Sequence, residues 1–153
     1  MTLEPMTFPD DATLAVHVQA LCDATLPKAR WTHAGHLAAT AGLLLLRPEL
    51  PLERELPGLI LRLNDSHCVP NSDSRGYHAT ITLFFLAALR DALARDDAAL
   101  PAHARVNALL AGPLGGGKRV MAPYWSEAVL FSVPARRGWV APDLAPMPYA
   151  LAL

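Results

Sequence analysis

From His33 to Leu46 the chain reads HAGHLAATAGLLLL, and no other segment constrains the fold as strongly. Leu, Ala and Gly fall on nearly every side of the helix this stretch would form, and a helix that is apolar all round must be covered by neighbours. It therefore predicts an all-α helical bundle with this element at its centre. The limits of the helix are also legible. Thr32 carries the hydroxyl of an N-cap, and Arg47 stands before Pro48, whose ring drives the preceding residue out of helical geometry. The longest apolar block, LAATAGLLLL, is far too short to span a bilayer.

The remaining periodicity supplies the neighbours. Leu14, Val18, Leu21 and Cys22 recur at helical spacing between Asp10 and Leu26, and Pro27 stops the run. PLERELPGLILRLNDSH predicts a third helix with Leu56, Leu59, Ile60 and Leu63 as its buried stripe, and with Pro57 and Gly58 breaking or kinking its start. CVPNSDSRG is a loop, and YHATITLFFLAALRDALARDD starts a fourth helix whose β-branched ATIT opening leaves a strand start open. LPAHARVNALLAG predicts a fifth, with Pro101 near its first turn and Gly112 past its end. A short sixth, PYWSEAVLF, has Pro123 at its start. From residue 132 four prolines exclude a regular helix, yet Trp, Val, Leu and Tyr make the segment too apolar for a solvated tail, so it is expected to wrap over the bundle.

With 153 residues, 52% of them hydrophobic and only 7% aromatic, the chain is predicted to form one helical domain over residues 1–153 that begins with an arm over residues 1–9. The net charge of −1 and the lack of a basic run remove the electrostatic footprint of a nucleic-acid binder. The acidic N-terminus, MTLEPMTFPDDATLA, has no basic region followed by an apolar stretch, so a cytoplasmic protein without a membrane partner is expected. Cys22 and Cys68 form no C-x-x-C pattern and predict no disulfide framework.

One motif is a decoy. GPLGGGKR, from Gly112 to Arg119, matches G-x-x-x-x-G-K, but Arg119 stands where a P-loop needs a Ser or Thr hydroxyl for magnesium. No strand precedes it and Pro123 follows within five residues, so it is read as a flexible Gly-rich connection.

The histidines carry more. His33 and His36 are three apart, which on a helix sets their Cβ atoms about 5–6 Å apart on one face and lets both imidazoles reach one metal. The alternative is that they only pack or satisfy the helix end. His78, behind a polar loop at the opening of the fourth helix, is the natural third ligand if the second and fourth helices pack side by side. Three neutral ligands would favour a nearby carboxylate, for which Asp73 and Glu127 are the candidates. His17 is expected to pack or face water, His67 beside Cys68 is a weaker ligand or nucleophile pair, and His103 is expected to be exposed.

Taken together, RWTHAGHLAAT, RLNDSHCVPNSDSRGYHATIT and PYWSEAVLFSVPARRGWVAPDL resemble a family of small, largely uncharacterised bacterial proteins. That family shows W-T-H-x-x-H-L, then N-T-x-x-x-G-Y-H-E-T-I-T, then a Y-S segment and W-x-x-P-D-L. The resemblance runs from about Trp31 to Leu144. It implies that His33, His36 and His78 belong to one constellation on a mainly helical fold, with Trp31, Thr32, Asn71, Tyr77, Thr82 and Ser126 as neighbours. The motif's glutamate is Ala79 here, so any ligand or base role it serves is lost or moved.

The leading expectation is a metalloprotein in which His33, His36 and His78 hold a divalent transition metal with one open position. Such a site would support metal-assisted hydrolysis or oxidative chemistry on a small molecule, and imidazole does not choose among zinc, iron, copper and nickel. Tyr77, Thr82 or Tyr124 would orient the substrate. Two alternatives stand beside it. One is a non-enzymatic binding or partner module whose histidines and Tyr77 line an apolar pocket for an anionic or aromatic ligand. The other is metal-independent acid–base catalysis by His33, His36 or His78.

Overall fold

The computed structural model describes residues 6–153, so residues 1–5 of the expected arm lie outside the described chain. The described chain is all-α. Its helices are α1 (Asp11–Cys22), α2 (His33–Leu46), α3 (Leu52–Ser66), α4 (Ala79–Arg95), α5 (Ala102–Ala111), α6 (Glu127–Leu130) and α7 (Val133–Arg137). Three 3-10 turns, Lys28–Arg30, Pro113–Gly116 and Lys118–Met121, lie between them.

The all-apolar segment takes the central place. α2 packs against α1, α4 and α5, and every residue from Leu37 to Leu43 is buried. The approach of α1 is so close at Gly42 that a Cβ there would stand 2.3 Å from Val18 Cγ2. Thr32 caps α2 by accepting from the Gly35 N–H at 3.1 Å, and Asp10 caps α1 by accepting from Thr13 N–H at 2.7 Å. One apolar cluster runs from Phe8 to Leu130. The segment before α1 is tied to α5, where Asn107 accepts from Phe8 N–H and donates to Phe8 C=O, each at 2.9 Å.

Four local expectations change. α3 continues through Pro57, since the ring removes only the bond to the Glu53 carbonyl while Leu52, Leu56, Leu59, Ile60 and Leu63 bury one continuous stripe. ATIT is the first turn of α4 and not a strand, because His78 caps it and its side chains pack inward. Pro123 does not begin the sixth helix; Ser126 does, accepting from Val129 N–H. The proline-rich end opens with a short helix, α7, in which Ser132 is the cap and Pro134 occupies the first turn, where an N–H has no intrahelical partner to lose. Beyond Gly138 no regular structure follows, and Trp139, Met147, Tyr149 and Leu151 pack against the core. Among the described residues no helix is long and apolar enough to cross a membrane.

Candidate functional site

The openings of α2 and α4 and the loop between α3 and α4 enclose a cavity of about 500 Å³. Leu37, Ile60 and Phe85 form an apolar floor, each less than 10% exposed. His36, Thr40, Tyr77 and Thr82 add polar groups to the wall. Lys28 and Lys118 are exposed and stand at the mouth with the half-buried Arg136. Among the described residues no carboxylate lines the cavity.

The three predicted histidines all border this space, and their ring nitrogens have different fates. His33, the first residue of α2, donates from Nε2 to the Leu114 carbonyl at 2.8 Å and sets its ring edge-on to Phe85. His36 lies one turn further along, stacked on Trp31 with ring centroids 3.4 Å apart and planes 24° apart. Neither of its nitrogens has a hydrogen-bond partner among the described residues, and burial, with a small contribution from His33, pushes its pKa down to about 3. The cavity reaches one side of that ring; protein surrounds the others and desolvates the imidazolium.

His78 is fully engaged. Its Nδ1 accepts from the Ile81 N–H at 3.2 Å as the cap of α4, and its Nε2 donates to the Leu130 carbonyl at 2.7 Å. This pair of bonds defines the neutral Nε2–H tautomer and leaves no lone pair for a metal. Burial also lowers its pKa, opposed by the bond to Leu130. The expected three-ligand geometry is therefore not assembled. Among the described residues no group of three or more His, Cys, Asp or Glu side chains is placed to hold a metal ion. Nor do the candidate carboxylates approach. Asp73 forms a two-pronged pair with Arg137 at 2.7 and 2.8 Å on the surface, and Glu127 is exposed at the start of α6.

Of the residues expected to orient a substrate, Tyr77 and Thr82 line the cavity and Tyr124 does not. The Tyr124 ring packs beside Phe84 and Trp125 instead. Burial alone pushes the Tyr77 phenol up to about 12, so its hydroxyl is a neutral donor. Ala79 is buried and forms no part of the cavity wall. His17 is buried and bonds the Gly35 carbonyl at 3.0 Å. His67 bonds the Leu26 carbonyl at 2.7 Å, and His103 bonds Asp11 at the surface.

The loop is held by a relay that was not anticipated from sequence. Buried Asn64 accepts from Trp31 Nε1 at 3.2 Å and donates to Asn71 Oδ1 at 2.9 Å, and the same Asn71 oxygen accepts from the Tyr77 N–H at 3.0 Å. Gly76 sits at φ +83°, and a Cβ there would meet the Pro70 carbonyl oxygen at 2.5 Å and Asn71 Oδ1 at 2.6 Å. Glycine is what this turn requires. Arg136 then donates to the carbonyls of Gly76 and Tyr77.

Sequence reasoning also missed Lys28, Lys118 and Arg136. The Gly-rich segment read as a mere connection supplies two parts of the site, the Leu114 carbonyl that orients His33 and the Lys118 ammonium. The late motif blocks meet elsewhere: Asp143 accepts from Ser126 N–H, Leu144 N–H donates to Tyr124 C=O, and Trp125 Nε1 donates to Val140 C=O. They form a structural clasp, away from the cavity wall. Comparison of the chain with protein-family models, with curated proteins and with solved structures finds no match.

Proposed function

We propose that the cavity is a metal-independent binding site for a small organic anion. One observation carries the reading: three cations from three separate segments, Lys28, Lys118 and Arg136, line a cavity with no carboxylate on its described wall. The N-terminal ends of α2 and α4, through Thr32, His33, His78 and Ile81, add the positive ends of two helix dipoles. In a recess of low dielectric such charges favour an anion more than they do on an open surface.

The polar groups of the wall suit recognition better than proton transfer. A base whose pKa lies near 3 is protonated too rarely and accepts too weakly to drive acid–base chemistry at neutral pH, and a phenol near 12 is a poor acid there. Both remain neutral and can fix a ligand by hydrogen bonds. The metal reading has less support, since His78 spends both nitrogens on the backbone.

The test is a thermal-shift screen of small organic anions against uncharged analogues, in the presence of a chelator. Anions should raise the Tm in a concentration-dependent manner while their uncharged analogues do not. Stabilisation that appears only on adding a divalent metal, or that shows no preference for charge, would overturn the reading.

A further inference from the structure

The reading of the cavity as an anion site leaves open what kind of anion enters and which end goes first. The gradient of the wall decides between a fully hydrophilic anion, such as phosphate or acetate, and an amphiphile. The two lysines lie at the rim, where Lys28 and Lys118 are exposed, and the half-buried Arg136 lines the wall, anchored by the carbonyls of Gly76 and Tyr77. The floor is aliphatic and aromatic, with Leu37 at 2%, Ile60 at 3% and Phe85 at 7% exposure. A small hydrophilic anion bound at the rim would leave that floor covered only by water. One driven to the floor would lose its hydration against apolar carbon. Only a ligand with an apolar body and a charged end satisfies both regions at once.

We infer, on the strength of the anion-site reading, that the natural ligand is an amphiphilic organic acid that enters apolar end first, its body on Leu37, Ile60 and Phe85 and its anionic group at Lys118, Lys28 and Arg136. On the wall, the ring nitrogens of His36 and the Tyr77 hydroxyl have no hydrogen-bond partner among the described residues. They select bodies that carry a polar substituent, since each is a hydrogen-bonding group that a purely aliphatic chain would leave without a partner.

Naphthoate, naphthalenemethanol, acetate and inorganic phosphate form the test set, titrated into the full chain by calorimetry and followed by NMR. Naphthoate should bind about tenfold or more tighter than acetate or phosphate, because only it covers the apolar floor. It should also bind more tightly than naphthalenemethanol, which has the same ring system without the charge. Its ring protons should show intermolecular NOEs to the Leu37 and Ile60 methyl groups. The exposed substitutions Lys118→Ala and Lys28→Ala should weaken naphthoate by about three- to tenfold each and leave naphthalenemethanol unchanged. Equal binding of acetate, phosphate and naphthoate would overturn the apolar-first orientation and leave the anion site standing. Equal binding of naphthoate and naphthalenemethanol would instead overturn the anion site itself. NOEs from the naphthoate ring confined to lysine side chains at the rim would overturn the orientation, and no binding of any of the four would overturn both.

Discussion

The openings of α2 and α4 look alike as sequence, each a histidine-bearing first turn behind an aromatic residue, and they differ in what the imidazoles have left to offer. In α2 the cap is Thr32, a hydroxyl that takes the Gly35 N–H and releases the following histidines from that duty. His33 still bonds the Leu114 carbonyl, while His36 lines the cavity with neither nitrogen partnered among the described residues. In α4 no Ser, Thr, Asp or Asn stands at the cap position, and His78 performs the capping itself. The ring that caps cannot also ligate or transfer protons at the same nitrogen, and its other nitrogen is consumed by Leu130. The availability of His36 and the engagement of His78 thus differ with the backbone groups each ring has to serve.

That contrast predicts its largest effect at His78. Replacing it with alanine removes a cap and leaves the Leu130 carbonyl without its donor, a loss of about 2–4 kcal/mol when the two terms combine. His78→Asn should recover part of this by restoring the acceptor for Ile81 N–H while failing to reach Leu130. Urea unfolding of the three proteins measures it, and a loss below about 0.5 kcal/mol for His78→Ala would mean the capping geometry contributes nothing.

Asn64 ties the two openings together, since one amide holds Trp31 ahead of α2 and, through Asn71, Tyr77 ahead of α4. Asn64→Ala should cost about 1–3 kcal/mol by leaving buried polar groups without partners. It should also loosen both walls, so that naphthoate affinity falls along with stability. A variant that loses stability but binds naphthoate unchanged would show that the relay supports the fold and not the cavity.

Much of this architecture is legible in the residues themselves. The all-apolar run of α2, its Thr32 cap, the Leu56, Leu59, Ile60 and Leu63 stripe and the Pro101 and Gly112 limits of α5 all follow from local rules, because each depends on periodicity or on one residue's backbone chemistry. The convergence of WTHAGHL with GYHATIT on one cavity was also foreseeable from helices 2 and 4 packing together. What local rules do not carry is how a side chain is used across long separations. His33 meets Leu114 from 81 residues away, and His78 meets Leu130 from 52. Lys118 and Arg136 reach the mouth from segments whose sequence shows only glycine or proline punctuation. The one signal that was present and went unused is Asn64, a polar residue one position from the apolar stripe of α3, since a buried amide demands partners.

The two openings also share a property that acid should expose. His36 and His78, with His17 behind them, are all held below the ordinary histidine value of 6.5, in each case chiefly by burial. With the folded pKa below the unfolded one, the unfolded chain binds protons first as pH falls. Stability is therefore complete above about 6.5 and declines below it, and for His36 the decline continues to about 3. His36 contributes a slope of about 1 kcal/mol per pH unit once the unfolded form is protonated, and His17 and His78 add to it in the same direction. Unfolding free energies between pH 7 and 5 should fall accordingly; a flat profile would mean that these imidazoles are hydrated and ordinary.

The smallest effect, and the sharpest test of the contrast, is His36→Leu. At pH 8 the wild-type ring is neutral and makes no hydrogen bond to the described protein, so leucine of similar bulk deletes no backbone partner and leaves nothing polar orphaned. The stacking on Trp31 is lost, but apolar contact with the same indole face replaces most of it, and the change in stability should stay below about 1 kcal/mol. Below pH 6 the variant should become more acid-resistant than the wild type, its slope shallower by about 1 kcal/mol per pH unit, because the imidazole that resisted protonation is gone. His78→Ala should do the opposite at neutral pH, where its cost is structural. A His36→Leu variant as unstable at pH 8 as His78→Ala would mean that His36 carries a structural burden like its counterpart, and that the ring facing the cavity is not free to meet a ligand.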